Sequence, residues 1–292
     1  MTRTEFLNWC TGSVRLLDGA TGTNMRLCGA PAGVCMEAWI LQHPEHLTAL
    51  QQRYVEAGSE LVYAPTFGGN RRNLQNFGLE QELERMNAQL VALSRKAAGD
   101  RALVAGDLTT TGLPVLEDGP MHYEDLLELY LEQARCLDAA GVDLFVVETM
   151  MGVLESMAAV EAIRGFSDKP IMVSLSLQSD GKCYFDGNAE TAAQNLQALG
   201  ADAIGVNCSS GPDQLDSVLS IFRQNSELPL LVKPNAGLPR MEPDGSAVYP
   251  MGPAEFAGHM KKLADSRVRL MGGCCGTTPD YIRALKDALS GI

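Results

Sequence analysis

The chain lacks the features that would place it in a membrane or on a nucleic acid. No apolar run among its 292 residues approaches the roughly 20 residues needed to cross a bilayer, and residues 1–9 contain no apolar segment of signal-peptide length. Basic residues are outnumbered, 23 against 36 acidic ones, which gives a formal charge of −13. Nucleic-acid binding depends on lysine and arginine contacts to phosphates, so this charge balance argues against a nucleic acid as partner. Together with the lack of a membrane-spanning or signal segment, it leads us to expect a cytoplasmic protein that binds a small molecule and no membrane.

Histidine is scarce and the chain has no paired C-x-x-C motif, so a closed structural zinc site is disfavoured. The four histidines are expected in surface or packing positions: His43, His46, His122 and His259. The eight cysteines are expected to be reduced thiols, as is usual in the cytosol. Five of them share no spacing and are interpreted as small core residues or surface thiols: Cys10, Cys28, Cys35, Cys136 and Cys183.

Apolar runs and helical patterns alternate eight times along the chain. This alternation predicts an α/β protein with the (β/α)8 TIM-barrel fold. We expect a single domain over residues 1–292, in which residues 1–12 form a short N-terminal lead-in. The predicted strands cover residues 14–18, 61–66, 102–107, 144–148, 171–177, 203–208, 230–234 and 268–273. The helical segments carry apolar residues at spacings of three and four: residues 44–57, 80–98, 123–140, 151–164, 189–199, 212–225, 253–264 and 279–289. A doubly wound open sheet is the alternative.

Polar residues gather at or just beyond the ends of the predicted strands. They are Asp18, Thr66, Asp107, Glu148, Asn207, Cys208, Asn235 and the Cys274–Cys275 pair. Since the carboxyl ends of barrel strands carry the chemistry in this architecture, these positions predict an active site there.

Two adjacent cysteines, Cys274 and Cys275, lie in a glycine-rich run, and Cys208 follows an apolar run. Adjacent side chains point to opposite faces of a regular strand, so the pair can converge only where the strand breaks, which the flanking glycines permit. Three converging thiolates suggest a zinc site whose fourth position is left for a substrate. Three alternatives remain: a phosphate cradle over residues 272–278, a vicinal disulfide, and simple core packing.

Six segments resemble those of the homocysteine S-methyltransferase family, in order and over essentially the whole chain. They are LDGATGT (17–23), APTFGGN (64–70), VET (147–149), GVNCS (205–209), PNAG (234–237) and GGCCGTTP (272–279). The resemblance implies a (β/α)8 barrel in which Cys208, Cys274 and Cys275 bind Zn²⁺. It also implies that the zinc binds the homocysteine sulfur as a thiolate, which then attacks an electrophilic methyl group to form methionine.

Within the family, the chain is most similar to the homocysteine-binding domain of cobalamin-dependent methionine synthase, because Gly276 follows the cysteine pair where the S-methylmethionine-dependent branch commonly has arginine. No corrinoid-binding segment is visible, so the resemblance implies methylcobalamin on a separate corrinoid protein. Donors such as S-methylmethionine, S-adenosylmethionine or a betaine-like compound are the alternative. A thiol sensor, or a subunit that only presents homocysteine, is the non-enzyme alternative.

Substrate contacts are predicted from position and supported by the resemblance. Glu148 is the candidate partner of the homocysteine ammonium group, and Asp18 is a second candidate or a residue that positions the first loop. Backbone N–H groups of that loop, which includes Gly19, Ala20 and Thr21, are candidates for the carboxylate. Two asparagines are expected near the zinc sulfurs, Asn207 and Asn235, and Asn235 is also a candidate fourth ligand when substrate is absent. A competing chemistry is a Schiff base on Lys233.

Overall fold

Eight parallel strands alternate with helices along the chain, and the sheet that they form closes on itself. The structure is a computed structural model that describes residues 1–115, 121–242 and 247–290. Its strands are β1 Arg15–Leu16, β2 Leu61–Tyr63, β3 Leu103–Thr109, β4 Leu144–Met150, β5 Ile171–Leu175, β6 Ala203–Asn207, β7 Leu230–Lys233, β8 Arg240–Met241, β9 Ala247–Val248 and β10 Val268–Met271. Strands β8 and β9 form a separate antiparallel hairpin.

The parallel strands run in the order β1-β10-β7-β6-β5-β4-β3-β2. A parallel bridge between Leu17 and Leu61 joins the two ends of this order, and the Glu60 N–H donates to the Leu16 carbonyl at 2.7 Å. The predicted (β/α)8 barrel is therefore confirmed, and the open-sheet alternative is wrong.

Helices surround the barrel, and most of them coincide with the predicted segments. They are α1 Arg3–Trp9, α2 Gly22–Leu27, α3 Met36–Gln42, α4 Pro44–Ala57, α5 Arg71–Gln75, α6 Leu83–Ala98, α7 Tyr123–Ala139, α8 Val153–Arg164, α9 Ala189–Ala198, α10 Asp216–Asn225, α11 Pro253–Leu263 and α12 Pro279–Leu289. Two predicted helices begin with a separate 3-10 turn, at Glu80–Glu82 and Pro212–Gln214. No described helix is both long and apolar enough to cross a membrane.

The barrel interior is apolar at the amino ends of the strands and polar at their carboxyl ends. The apolar part is one packed cluster that includes Leu17, Leu61, Tyr63, Ala105, Leu144, Val146, Met172, Ala203, Leu231 and Leu270. Phe6 of α1 and Cys10 belong to the same cluster, so residues 1–12 contain a helix that covers the amino end of the barrel. Successive side chains point to opposite faces of a strand, and inward positions further along β3, β4, β6 and β7 are buried polar residues: Asp107, Glu148, Asn207 and Lys233.

Two predicted strand ends are wrong in a way that matters for the site. Strands β3 and β4 continue past Asp107 and Glu148, which therefore lie inside the strands rather than at their ends. Backbone pairing continues through both positions, with Asp107 opposite Val146 and Thr109 opposite Glu148. The polar side chains face the barrel interior, so they do not interrupt the hydrogen-bond ladder.

Candidate metal centre and substrate pocket

Three cysteine side chains converge at the carboxyl end of the barrel. The Sγ atoms of Cys208, Cys274 and Cys275 all lie within 4.8 Å of one another, and those of Cys208 and Cys275 are 3.6 Å apart. All eight cysteines, each within the described ranges, are free thiols. The structure thus brings together the three thiols that the sequence singles out, and their use as metal ligands stays a prediction.

The backbone around the thiols is held by contacts between neighbouring loops. Three hydrogen bonds link the loops after β6, β7 and β10: Cys208 N–H to Lys233 O at 3.3 Å, Cys274 N–H to Pro234 O at 2.7 Å, and Ala236 N–H to Cys275 O at 3.0 Å. Strand β10 ends at Met271, so the adjacent cysteines lie outside the regular strand, as predicted. Cys208 has a φ of +53°, a left-handed conformation that is uncommon for residues other than glycine and often marks a functional site.

A tyrosine ring lies against the turn that follows the cysteine pair. Gly276 has a φ of +82°, and a Cβ at this position would overlap the ring of Tyr249. A side chain such as arginine therefore does not fit at residue 276 while Tyr249 occupies this place. The Tyr249 hydroxyl also hydrogen-bonds the Cys275 sulfur.

The donor set and its surroundings fit Zn²⁺. Three thiolates are soft ligands of the kind that zinc binds in tetrahedral sites. Hydrogen bonds from Cys208 and Cys274 lower the pKa of Cys275 to about 3, whereas the pKa values of Cys208 and Cys274 are raised by hydrogen bonds within the cluster and by burial, so the thiols by themselves favour one thiolate. Asn235 is buried, and its side-chain Oδ1 has no hydrogen-bond partner among the described residues. Such an oxygen is rare in a folded protein, which makes Asn235 a reasonable candidate for a fourth ligand.

A cavity of about 310 Å³ opens beside the thiols. Its wall contains all three cysteines together with five of the predicted substrate contacts: Asp18, Gly19, Ala20, Thr21 and Glu148. The volume suits a small amino acid rather than a large cofactor. The acidic side chains in the wall also disfavour the phosphate alternative, because like charges repel.

Asn207 connects Glu148 with the thiols. Its Nδ2 lies 2.7 Å from the Thr149 hydroxyl, 3.4 Å from Glu148 Oε2 and 3.9 Å from Cys274 Sγ, while its Oδ1 accepts the Thr149 N–H at 2.8 Å. Thr149 has a φ of +58°, a strained conformation for a β-branched residue that costs about 1–3 kcal/mol. The two hydrogen bonds to Asn207 hold Thr149 in this conformation. Asn207 is thus placed to orient Glu148.

Asp18 and Lys233 form a buried ion pair inside the barrel. Lys233 Nζ is 2.7 Å from Asp18 Oδ1 and 3.5 Å from the centroid of the Tyr63 ring. Asp18 Oδ2 accepts the Tyr63 N–H at 2.8 Å. Burial alone would lower the pKa of Lys233, but the Asp18 and Glu148 carboxylates raise it, so the amine stays protonated and is a poor Schiff-base nucleophile. With both oxygens in use, Asp18 is better suited to positioning than to a direct substrate contact.

The carboxyl groups of Glu148 and Asp107 are unusual because both are buried and adjacent. Burial, and after it the charges of Asp18 and Cys275, raise the pKa of Glu148 to about 7 although Lys233 opposes the shift. Burial and the Glu148 carboxylate raise the pKa of Asp107 well above its usual range. Two such groups favour a cation between them.

The loop after β1 is partly committed to internal contacts. The Ala20 N–H donates to the Thr277 hydroxyl at 3.1 Å, so this group is already used, contrary to its predicted role toward the substrate carboxylate. Gly19 approaches Tyr54 and Thr277 so closely that a Cβ would lie 2.6 Å from the Tyr54 hydroxyl. Gly19 and Thr21 are the remaining candidates for that role.

Sequence reasoning placed Asp107 near a strand end at the predicted active site, but it left the roles of several residues near the thiols and the cavity unassigned. The resemblance gave no role to Asp107 or Tyr249, and it did not pair Lys233 with Asp18. One signal for Asp107 is present in the sequence. Leu103 and Ala105 face the interior of the barrel, and Asp107 is the next residue in that period of two.

Comparison with known proteins places the chain in a family. A family model described as homocysteine S-methyltransferase matches residues 15–289. The methionine synthases of Mycobacterium leprae (strain TN) and Mycobacterium tuberculosis (strain ATCC 25618 / H37Rv) are 30% and 29% identical to the chain. These matches cover 98% and 99% of the chain but 25% and 26% of the relatives. The chain therefore spans about a quarter of the length of these curated relatives.

Solved structures show the same fold. The homocysteine methyltransferase MmuM from Escherichia coli superposes with a TM-score of 0.81 in its oxidised form, at 22% identity over 95% of this chain and 96% of that one. The metallated form gives a TM-score of 0.79 at 22% identity, over 96% and 98% of the two chains. From the family match over residues 15–289, the chain belongs to the homocysteine S-methyltransferase family.

Proposed function

We propose that the chain transfers a methyl group to the thiol of homocysteine and so forms methionine. One observation carries the proposal: three free thiols meet in the wall of a small cavity that also contains the buried carboxyl of Glu148. A soft sulfur site and an ammonium-binding carboxyl within one cavity match the two ends of an amino-acid thiol. Family membership supports the same substrate.

The residues of the chain divide the work of binding this substrate. Cys208, Cys274 and Cys275 would hold Zn²⁺, which when bound keeps a substrate thiol ionised near neutral pH. Glu148 accepts hydrogen bonds from the ammonium group, oriented by Asn207. Backbone N–H groups of the loop after β1 bind the carboxylate. The substrate thiol would lose its proton to solvent. Its sulfur would then attack the methyl carbon in line, forming the S–CH3 bond as the bond from that carbon to the donor breaks, and the donor would leave with the electron pair of that bond. No protein base is needed at the methyl group because none of its protons moves.

The proposed donor is methylcobalamin on a separate corrinoid protein. The similarity of the sequence to the homocysteine-binding domain of cobalamin-dependent methionine synthase supports this choice. Gly276 adds support, since the Tyr249 ring occupies the space that an arginine would need. S-Methylmethionine, S-adenosylmethionine and betaine-like compounds are the alternative donors.

A donor panel tests the proposal. Purified protein, with its zinc content measured, is mixed with homocysteine and either methylcobalamin or S-methylmethionine, and methionine is quantified. We expect turnover with methylcobalamin and about one zinc per chain. Turnover with S-methylmethionine alone would show that methylcobalamin is not the donor, but it would still support homocysteine as the methyl acceptor. Homocysteine binding without turnover from any donor would instead indicate a subunit that presents homocysteine.

A further inference from the structure

Asp107 is a buried carboxyl group whose side chain has no assigned role in the pocket. It lies in the cavity wall with an exposed fraction of 3%, and its Oδ1 has no hydrogen-bond partner among the described residues. Its backbone is held separately: the Thr66 hydroxyl accepts the Asp107 N–H at 3.0 Å and donates to the Asp107 carbonyl at 2.8 Å. The carboxyl is therefore free to contact a ligand.

The carboxyl groups around Asp107 outnumber the cations that could pair with them. Asp18, Asp107 and Glu148 place three carboxyl groups in the cavity wall, and Lys233 is the cation whose charge acts on both Asp107 and Glu148. Lys233 is already bound to Asp18 at 2.7 Å. Glu37, also in the wall, adds to the negative field at Asp107. Lys233 still lowers the pKa of both Asp107 and Glu148, but neither carboxyl has a salt bridge of its own among the described residues.

The two carboxyl groups line the same cavity and are rigidly placed. They are close enough for the charge of Glu148 to raise the pKa of Asp107. Asp107 belongs to β3 and Glu148 to β4, which are paired neighbours in the barrel. Residues on paired strands hold their positions better than residues on loops.

We propose that Asp107 and Glu148 together bind the α-ammonium group of the substrate, and that Asp107 restricts the pocket to thiols that carry this group. The inference rests on the proposed function, which it deepens by naming what the pocket requires of its substrate. An ammonium group has three N–H donors and supplies the positive charge that the two carboxyls lack. A thiol without it would leave them buried and unpaired, which is the arrangement that gives strong discrimination.

The test is equilibrium binding of two thiols to the zinc-containing protein, so that no methyl donor is needed. The first is homocysteine, and the second is 4-mercaptobutanoate, which has the same thiol and carboxylate but no ammonium group. In Asp107→Asn, we expect the Kd of homocysteine to rise roughly tenfold to a hundredfold. The Kd of 4-mercaptobutanoate should stay the same or fall. Asp100→Asn, an exposed site before the amino end of β3, is the matched control.

A double-mutant cycle that combines Asp107→Asn with Glu148→Gln shows whether the two carboxyls bind the same ammonium group or affect homocysteine binding independently. If both carboxyls bind one ammonium group, the combined loss should differ clearly from the sum of the single losses. Unchanged homocysteine binding in Asp107→Asn would overturn the inference, and so would equal weakening of both thiols. If wild-type protein binds neither thiol, the proposed function fails as well. If the ammonium effect is found without turnover, only the methyl-transfer part of the proposed function fails.

Discussion

Single residues decide the chemistry at the carboxyl end of the barrel. Cys274 lies within 4.8 Å of the other two sulfurs of the cluster and shares their loop contacts. A hydroxyl is a much weaker ligand than a thiolate for zinc. Loss of one sulfur should therefore affect metal content before it affects the fold.

Cys274→Ser should lower both zinc content and methyl transfer by at least roughly tenfold. Zinc is measured by metal analysis and activity with homocysteine and the best donor of the panel. Cys28→Ser is the matched control, because Cys28 is an exposed free thiol outside the cluster. Full turnover by zinc-free Cys274→Ser protein would contradict the zinc mechanism.

Glu148 should make the stability of the protein depend on pH. Its pKa rises from 4.5 to about 7 on folding, so the folded state holds a proton that the unfolded state loses above about pH 4.5. The stabilisation is complete below that pH and is lost as pH rises through about 7. The total loss is about 3 kcal/mol, since one pKa unit corresponds to about 1.4 kcal/mol.

Glu148→Gln should therefore remove most of this pH dependence in ligand-free protein. Urea unfolding at about pH 5 and about pH 8 measures it as a difference in the free energy of unfolding. Glu84→Gln, at an exposed position, serves as the control. If the free energy of unfolding changes equally with pH in wild type and in Glu148→Gln, the Glu148 carboxyl is not the source of the pH dependence.

At the scale of elements, β1 and β2 are the neighbouring barrel strands with the fewest paired residues among those described. Their strand pairing is the single bridge from Leu17 to Leu61. Asp18 reinforces this pairing by accepting the Tyr63 N–H while it binds Lys233 of β7. One carboxylate thus connects three strands of the barrel.

Lys233→Met should destabilise the protein by about 3–5 kcal/mol, because it leaves Asp18 buried without its cation. The double variant Asp18→Asn/Lys233→Met should recover part of this loss, since no buried charge then remains unpaired. Chemical unfolding of both variants and of wild type gives the comparison. A Lys233→Met protein as stable as wild type would mean that the ion pair contributes nothing to closure.

At the scale of the whole molecule, the apolar cluster around Phe6 and the cavity with its thiols lie at opposite ends of the barrel. Phe6 of α1 is fully buried in the cluster at the amino end, whereas the thiols and the cavity are at the carboxyl end. The helix that carries Phe6 begins with a capping box between Thr2 and Glu5. This separation should allow the packing around Phe6 to be changed without changing the site.

Phe6→Ala should lower the free energy of unfolding by about 3–5 kcal/mol, as expected for a large buried aromatic residue. Zinc content and the Kd of homocysteine should remain at wild-type values. Leu7→Ala, at a side chain that is 41% exposed, should change stability by less than about 0.5 kcal/mol. Weakened homocysteine binding in folded Phe6→Ala protein would show that the two ends are coupled.

The sequence by itself determined the barrel, its eight strands and the three thiols. Alternating apolar runs and helical patterns are local signals, and the glycine-flanked pair Cys274–Cys275 identifies a break in the last strand without reference to the rest of the chain. The family motifs likewise pointed to Glu148 and Asn207, which the structure places beside the cavity and the thiols.

Only the tertiary structure decided which polar groups face each other. Lys233 and Asp18 are 215 residues apart, and Asp107 and Glu148 meet because neighbouring strands set their register. Strand ends were misplaced at those two residues because hydrogen bonding to adjacent strands, which a single segment does not reveal, extends the ladder past them. The contacts that would select an amino-acid thiol therefore depend on strand pairing, a long-range property, whereas the cysteines proposed as zinc ligands are identified by short local motifs.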